Sequence, residues 1–140
     1  MMKKLLFSLL FAGSIALTAC QATIYTADKT KAKLQKKDYT VEVYTKDEAK
    51  THYTALPIDK YDVTGTLFAK KGQGDDQDLL FAIFFSSIDE ASKFSEGGQN
   101  ITTLGQFGEA LIGKNLTSRL GTHNNVVYVG TETTFNIAFK

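Results

Sequence analysis

Gly108-Glu109-Ala110-Leu111-Ile112-Gly113-Lys114 fits G-x-x-x-x-G-K, the spacing of a loop whose backbone amides cradle phosphate. The next position breaks the fit. Asn115 stands where a Ser or Thr hydroxyl would bind magnesium, Glu109 puts an acid inside the anion cradle, and no strand precedes the stretch. A helix accounts for the same residues, with Leu111 on its core face, Gly113 as its stop and Lys114 at its negative end. Asp75, Asp76 and Asp78 offer hard oxygens suited to calcium, but their spacing is not D-x-D-x-D-G and no later glutamate completes a shell. An acidic, solvated loop that discourages edge pairing is the plainer reading. His52 and His123 have no cysteine or carboxylate at ligand spacing, and Ser86, Ser87, Ser92 and Ser95 sit in no G-x-S-x-G elbow. The sequence therefore names no catalytic residue, no metal ligand and no cofactor, although an enzyme can assemble its groups from distant positions.

The lone cysteine carries a different chemistry. Lys3 and Lys4 precede an apolar run, Leu5-Leu6-Phe7-Ser8-Leu9-Leu10-Phe11-Ala12, too short to span a bilayer as a stable helix. Gly13 and Ser14 follow, and the region closes on Leu17-Thr18-Ala19-Cys20. This arrangement resembles the signal peptide and lipobox of bacterial lipoproteins. The resemblance implies that Cys20 receives a diacylglyceryl thioether, that a signal peptidase cuts between Ala19 and Cys20, and that Cys20 becomes the acylated first residue, palmitate being one chain it could carry. Two or three acyl chains hold a protein on a membrane where one would not. The expected place is thus the cell membrane or the outer membrane, on the extracytoplasmic side. Gln21, rather than aspartate, follows the cysteine, which leaves outer-membrane anchoring open. No second cysteine is present for a disulfide, so the domain must be held by its core.

Composition narrows the remaining classes. Sixteen basic residues against 15 acidic give a formal charge of +1, and loss of Lys3 and Lys4 with the leader leaves 14 basic against 15 acidic. A nucleic-acid partner, which calls for a strongly basic footprint, is not expected. With 43% hydrophobic residues the 140-residue chain has enough apolar material for a single folded domain.

The elements follow from pattern. Residues 20–38 are polar and rich in lysine (Lys29, Lys31, Lys33, Lys36, Lys37), with Ala32 and Leu34 too sparse for an apolar face, and read as a flexible tether. As a coil it would place the domain on the order of 25 Å from the bilayer; alternatively its lysines touch anionic headgroups. The domain is expected over 39–140. Tyr39 to Tyr44 alternates as a strand, and Thr45 with Glu48 forms a capping box that opens a helix through about Leu56, stopped by Pro57. Val63 to Lys70 is a second strand, joined to Leu79 to Phe85 by a polar hairpin loop. Ser87 and Glu90 open a helix ending near Ser95, and Asn100 is the expected N-cap of another that carries Ile101, Leu104, Phe107 and Leu111 on one face. Leu116 to Leu120 and Val126 to Val129 form a second hairpin around residues 121–125, and Thr131-Glu132 opens a last helix. The three strand, cap and helix units hint at an internal repeat, although ordinary cap chemistry explains them too. Mixed helices and hairpins predict an α+β fold with a mostly antiparallel sheet of about five strands, ferredoxin-like at its core with additions.

The Leu79 strand is apolar on both faces, so something must cover its second side. The helix from Ile101 could do so, or a second protomer packed sheet to sheet, or a bound ligand or protein in a groove. A face carrying Phe68, Leu80 and Phe84 is the expected interaction surface. The expected function is that of a lipid-anchored envelope protein binding itself or another envelope protein without catalysis; a small-molecule or metal-ion receptor and an enzyme without a recognisable motif are the alternatives.

Overall fold

The computed structural model describes residues 23–73, 77–110 and 118–140. Its elements run α1 (Ala27–Gln35), β1 (Thr40–Tyr44), α2 (Lys46–His52), a 3-10 turn (Ile58–Lys60), β2 (Val63–Lys71), β3 (Asp78–Phe85), α3 (Ile88–Glu96), α4 (Asn100–Glu109), β4 (Ser118–His123), β5 (Val126–Thr131) and α5 (Glu132–Phe139). The five strands form one sheet in the order β1-β2-β3-β5-β4, every neighbouring pair antiparallel. This is the α+β class expected from the sequence. The split unit of a ferredoxin-like core is present where β3 and β4 run parallel, linked through α3 and α4, with β5 between them. At the other edge β1 and β2 are direct antiparallel neighbours in spite of α2 between them.

Helices cover both faces of the sheet. Leu80, Ala82 and Phe84 point to one side, where Leu67, Ala69, Val126 and Tyr128 join them beneath Ala27 and Leu34 of α1 and Phe135, Ala138 and Phe139 of α5. Phe81, Ile83 and Phe85 point to the other, with Val63, Val127 and Val129, beneath Ala49 of α2, Ala91 and Phe94 of α3 and Leu104 of α4. Seven of the eight β3 residues are buried, which is why its sequence does not alternate.

Helix α1 corrects the expectation of a flexible tether. Thr26 is its N-cap and accepts from Lys29 N, Asp28 lies in the first turn and Lys33 in the last, each charge at the helix end that favours it. Its buried stripe is Ala27, Thr30 and Leu34, at i, i+3 and i+7. Thr30 escapes the cost of burial by donating its hydroxyl to Thr26 O at 2.9 Å. Asp38, at φ 66°, then reverses the chain into β1. The folded body therefore includes α1 and does not start at Tyr39.

Smaller differences have equally local causes. The Thr45 and Glu48 box is closed in both directions, but α2 ends at His52, and Pro57 precedes a separate 3-10 turn. Ser87 caps α3 as expected. Asn100 is not a cap: its amide donates to Tyr61 Oη at 2.9 Å and Phe94 O at 3.0 Å, joining the end of α3 to the start of α4. Thr131 opens α5 without capping it, because its hydroxyl bonds Leu79 N and O on β3. The β4–β5 connection is shorter than expected, reduced to Asn124 and Asn125, with Asn124 at φ 51°.

Candidate functional site

The three residues of the expected interaction surface do not share a face. Leu80 and Phe84 are fully buried between α1, α5 and the sheet. Phe68 pairs in register with Phe81, which places it on the opposite side, among the residues beneath α2, α3 and α4. The surface seemed uncovered because the helix that covers it, α1, lies in the stretch read as a tether. The sheet face is thus closed within the chain, and an interaction through Leu80 and Phe84 is ruled out in the folded state.

Around Phe68 an aromatic surface does remain. Tyr44, Tyr53, Phe68, Ile101 and Phe107 are only partly buried against this core. Tyr53, the residue after α2, meets Phe81 edge-on with centroids 4.8 Å apart and Phe107 of α4 at 5.8 Å and 88°. Phe81 and Phe107 stand 4.9 Å apart, so the three rings form a closed triangle with the Phe81 ring as its floor. The strip continues through Tyr44, 5.9 Å from Tyr53, to His52, whose ring lies 4.5 Å from Tyr44. Edge-on and tilted geometry is what ring quadrupoles favour. Burial first, then the neighbouring Tyr44 and the Glu42 carboxylate, push the Tyr53 phenol up to about 12. Burial followed by Glu42 raises Tyr44 as well. Both hydroxyls are protonated near neutral pH, Tyr44 Oη donates to Glu42 Oε2 at 3.2 Å, and the strip presents neutral rings. Tyr53 belongs to no motif, and the sequence placed it inside the helix expected through about Leu56, whereas it follows the last residue of α2.

No family model, curated protein or solved structure matches the chain.

The residues weighed for chemistry fall elsewhere. Gly108 lies inside α4, where a Cβ would collide with Val129 of β5, so this glycine serves the close approach of helix to sheet. Leu111, Gly113, Lys114, Asn115, Leu116, Asp75 and Asp76 lie outside the described residues, as do the leader and Cys20. Asp78 starts β3. His52 sits with Tyr44 and Tyr53, whereas His123 packs on the opposite side of the sheet against Tyr25, Phe135 and Phe139. Among the described residues no group of three His, Cys, Asp or Glu side chains could hold a metal ion. Ser86 donates to Asp62 at 2.6 Å and Ser95 pairs with Thr122. No helix among the described residues is long and apolar enough to cross a membrane.

At the end of the sheet where β1 begins and β2 stops lies an open polar groove of about 470 Å³, lined by Asp38, Thr40, Lys70, Lys71, Gln73 and Gln77 among others. Lys71 also donates to Lys37 O at 2.8 Å and stands 5.5 Å from the centre of the Tyr39 ring. One wall of the groove is therefore tied to the end of α1.

Proposed function

We propose that the chain is a lipid-anchored protein of the cell envelope whose α+β domain is a non-enzymatic binding module. Its anchor is Cys20, and its contact surface is the strip of Tyr44, Tyr53, Phe68 and Phe107 rather than the sheet face of Leu80 and Phe84. The observation that carries the binding surface is the Tyr53, Phe81 and Phe107 triangle, in which the buried Phe81 ring holds Tyr53 and Phe107 in place while these two stay partly open to solvent. Aromatic side chains held in place by a core lose little entropy when a partner covers them, which is why they recur as anchors of protein interfaces. The partner is a second copy of the chain or another envelope protein held on the same membrane.

Photo-crosslinking tests this reading. A photoreactive phenylalanine analogue at Tyr53, in protein expressed in its own membrane, should yield one discrete adduct, whereas the same group at Lys33 on the outer face of α1 should yield none. Equal, diffuse labelling from both positions would count against the strip as a binding surface.

A second reading, a receptor for a small polar ligand, is supported by the groove that Lys70 and Lys71 line together with Asp38, Gln73 and Gln77. A ligand-dependent rise in melting temperature that disappears in Lys70→Ala would favour it.

A further inference from the structure

We propose that the domain rests against the bilayer by the β4–β5 end of its sheet, with Ile24 at the lipid surface and the Lys70 and Lys71 end turned away. This deepens the proposed function and rests on acylation of Cys20.

The anchor lies a short distance along the chain from the folded body. Only Gln21 and Ala22 separate Cys20 from Thr23, and three extended residue steps reach no more than about 11 Å. From Thr23 onward the chain is fastened. Asn124 Nδ2 donates to Thr23 O at 2.9 Å, Tyr25 N donates to Asn125 Oδ1 at 2.7 Å, and Asn125 Nδ2 donates to Tyr25 O at 2.8 Å. Tyr25 Oη reaches the backbone carbonyl of Phe139 at 3.3 Å. The anchor thus enters the domain at the turn between β4 and β5. The lysine-rich stretch that would have supplied a long tether is spent as α1, which begins at this end and leads to the other, where Lys71 bonds Lys37 O.

The opposite end is far away on this scale. β3 has eight residues, so the sheet ends are separated by about 26 Å, more than twice the greatest span from Cys20 to Thr23. Resting the domain on its Lys70 end, with the turn at Asn124 outermost, would require breaking the bonds at Asn124 and Asn125.

The surface at the anchored end fits a lipid boundary. Ile24 is 49% exposed, one of two large hydrophobic residues so exposed among the described residues, and it lies four positions from Cys20. Asn124, which holds the carbonyl of Thr23, and Ser86, which follows β3 at the same end of the sheet, are neutral hydrogen-bonding groups, the chemistry that suits headgroups. Asp62, which accepts from Ser86, stands at the same end as Lys46, whose ammonium bonds Tyr61 O, and Lys140, which follows the Phe139 carbonyl held by Tyr25, so neither sign of charge dominates the contact. The orientation should therefore be insensitive to salt.

The test uses the full acylated protein reconstituted in vesicles of phosphatidylethanolamine and phosphatidylglycerol that contain a lipid with a nitroxide on its headgroup. In the acylated chain Cys20 has no free thiol, so a fluorophore can be attached at Ser86→Cys near the anchored end or at Gln73→Cys near the other. Quenching several-fold stronger at position 86 than at 73, unchanged by added salt, is the expected result. Equal quenching in protein shown by mass to be acylated would overturn the orientation while leaving the anchor intact. Absence of acyl mass would overturn both. A third variant, with about twelve Gly and Ser residues inserted between Ala22 and Thr23, leaves the folded body untouched and should bring the two signals together. If the difference survived that insertion, the short attachment would not be what orients the domain.

Discussion

The side-chain amide of Asn125 forms a two-way hydrogen bond with the backbone of Tyr25, accepting from its N–H at 2.7 Å and donating to its carbonyl at 2.8 Å, across 100 residues of sequence. The same amide donates to Phe85 O at 2.9 Å, and the residue is fully buried. One turn residue thus joins the start of the folded chain to the ends of β3 and β5. Asn125→Ala leaves the Tyr25 and Phe85 groups without this partner, at about 1–3 kcal/mol for each that stays buried and unpaired. The expected loss is about 3 kcal/mol, read as a lower urea midpoint with an unchanged slope.

Helix α1 is part of the core. Removal of residues before Tyr39 should expose Leu80, Ala82 and Phe84 and leave a chain that binds hydrophobic dye and melts without a sharp transition, whereas a chain starting at Thr23 should fold. Leu34→Ala, a milder change at a fully buried position, should cost about 2–5 kcal/mol. Cooperative folding of the shorter chain at full stability would show that α1 is only peripheral.

These two sites mark where the sequence was legible and where it was not. The capping box at Thr45 and Glu48, the cap at Ser87 and the unbroken apolar run of β3 each announce themselves locally, because a hydroxyl or a run of side chains does the same work in any context. They were enough for the α+β class and for most element positions. α1 was missed because its buried stripe contains a threonine and an alanine, and its lysines all fit on the remaining surface. That error made the Leu80 and Phe84 side look open. The aromatic strip was invisible for another reason: Tyr53 and Phe107 are distant in sequence and meet only when α2 and α4 pack on the same face. Asn125 read only as part of a hairpin turn, since nothing in a turn sequence says that a distant segment will lie across it.

Thr66 offers a stabilising change. It lies on β2 in register with Tyr44 and Ile83, fully buried, and its hydroxyl has no hydrogen-bond partner among the described residues. Thr66→Val keeps the branched shape and removes a desolvated hydroxyl that gains nothing, so stability should rise by about 1 kcal/mol. A melting temperature that falls instead would reveal a partner for the hydroxyl.

Stability should also depend on His123. Burial, then the positive charges of Arg119 and Lys140, hold its imidazole below the usual histidine range. The unfolded chain consequently takes up a proton at a higher pH than the folded one, so stability rises with pH through the window between the two values and is lost as pH falls from about 6.5. His123→Gln removes that contribution. Urea midpoints at about pH 7.5 and about pH 6 should differ less for the variant than for the wild type, and an equal difference would place the dependence on other groups.

The anchor at Cys20 underlies the whole account, and the mass of the mature amino-terminal peptide tests it most directly. Trypsin should release Cys20 to Lys29 from membrane-extracted protein, starting at Cys20 and heavier than its sequence by a diacylglyceryl group, while Cys20→Ala should give an uncleaved, unacylated precursor. A wild-type peptide that begins at another residue, or that begins at Cys20 with no added mass, would contradict the anchor and with it the membrane-bound function proposed for this domain.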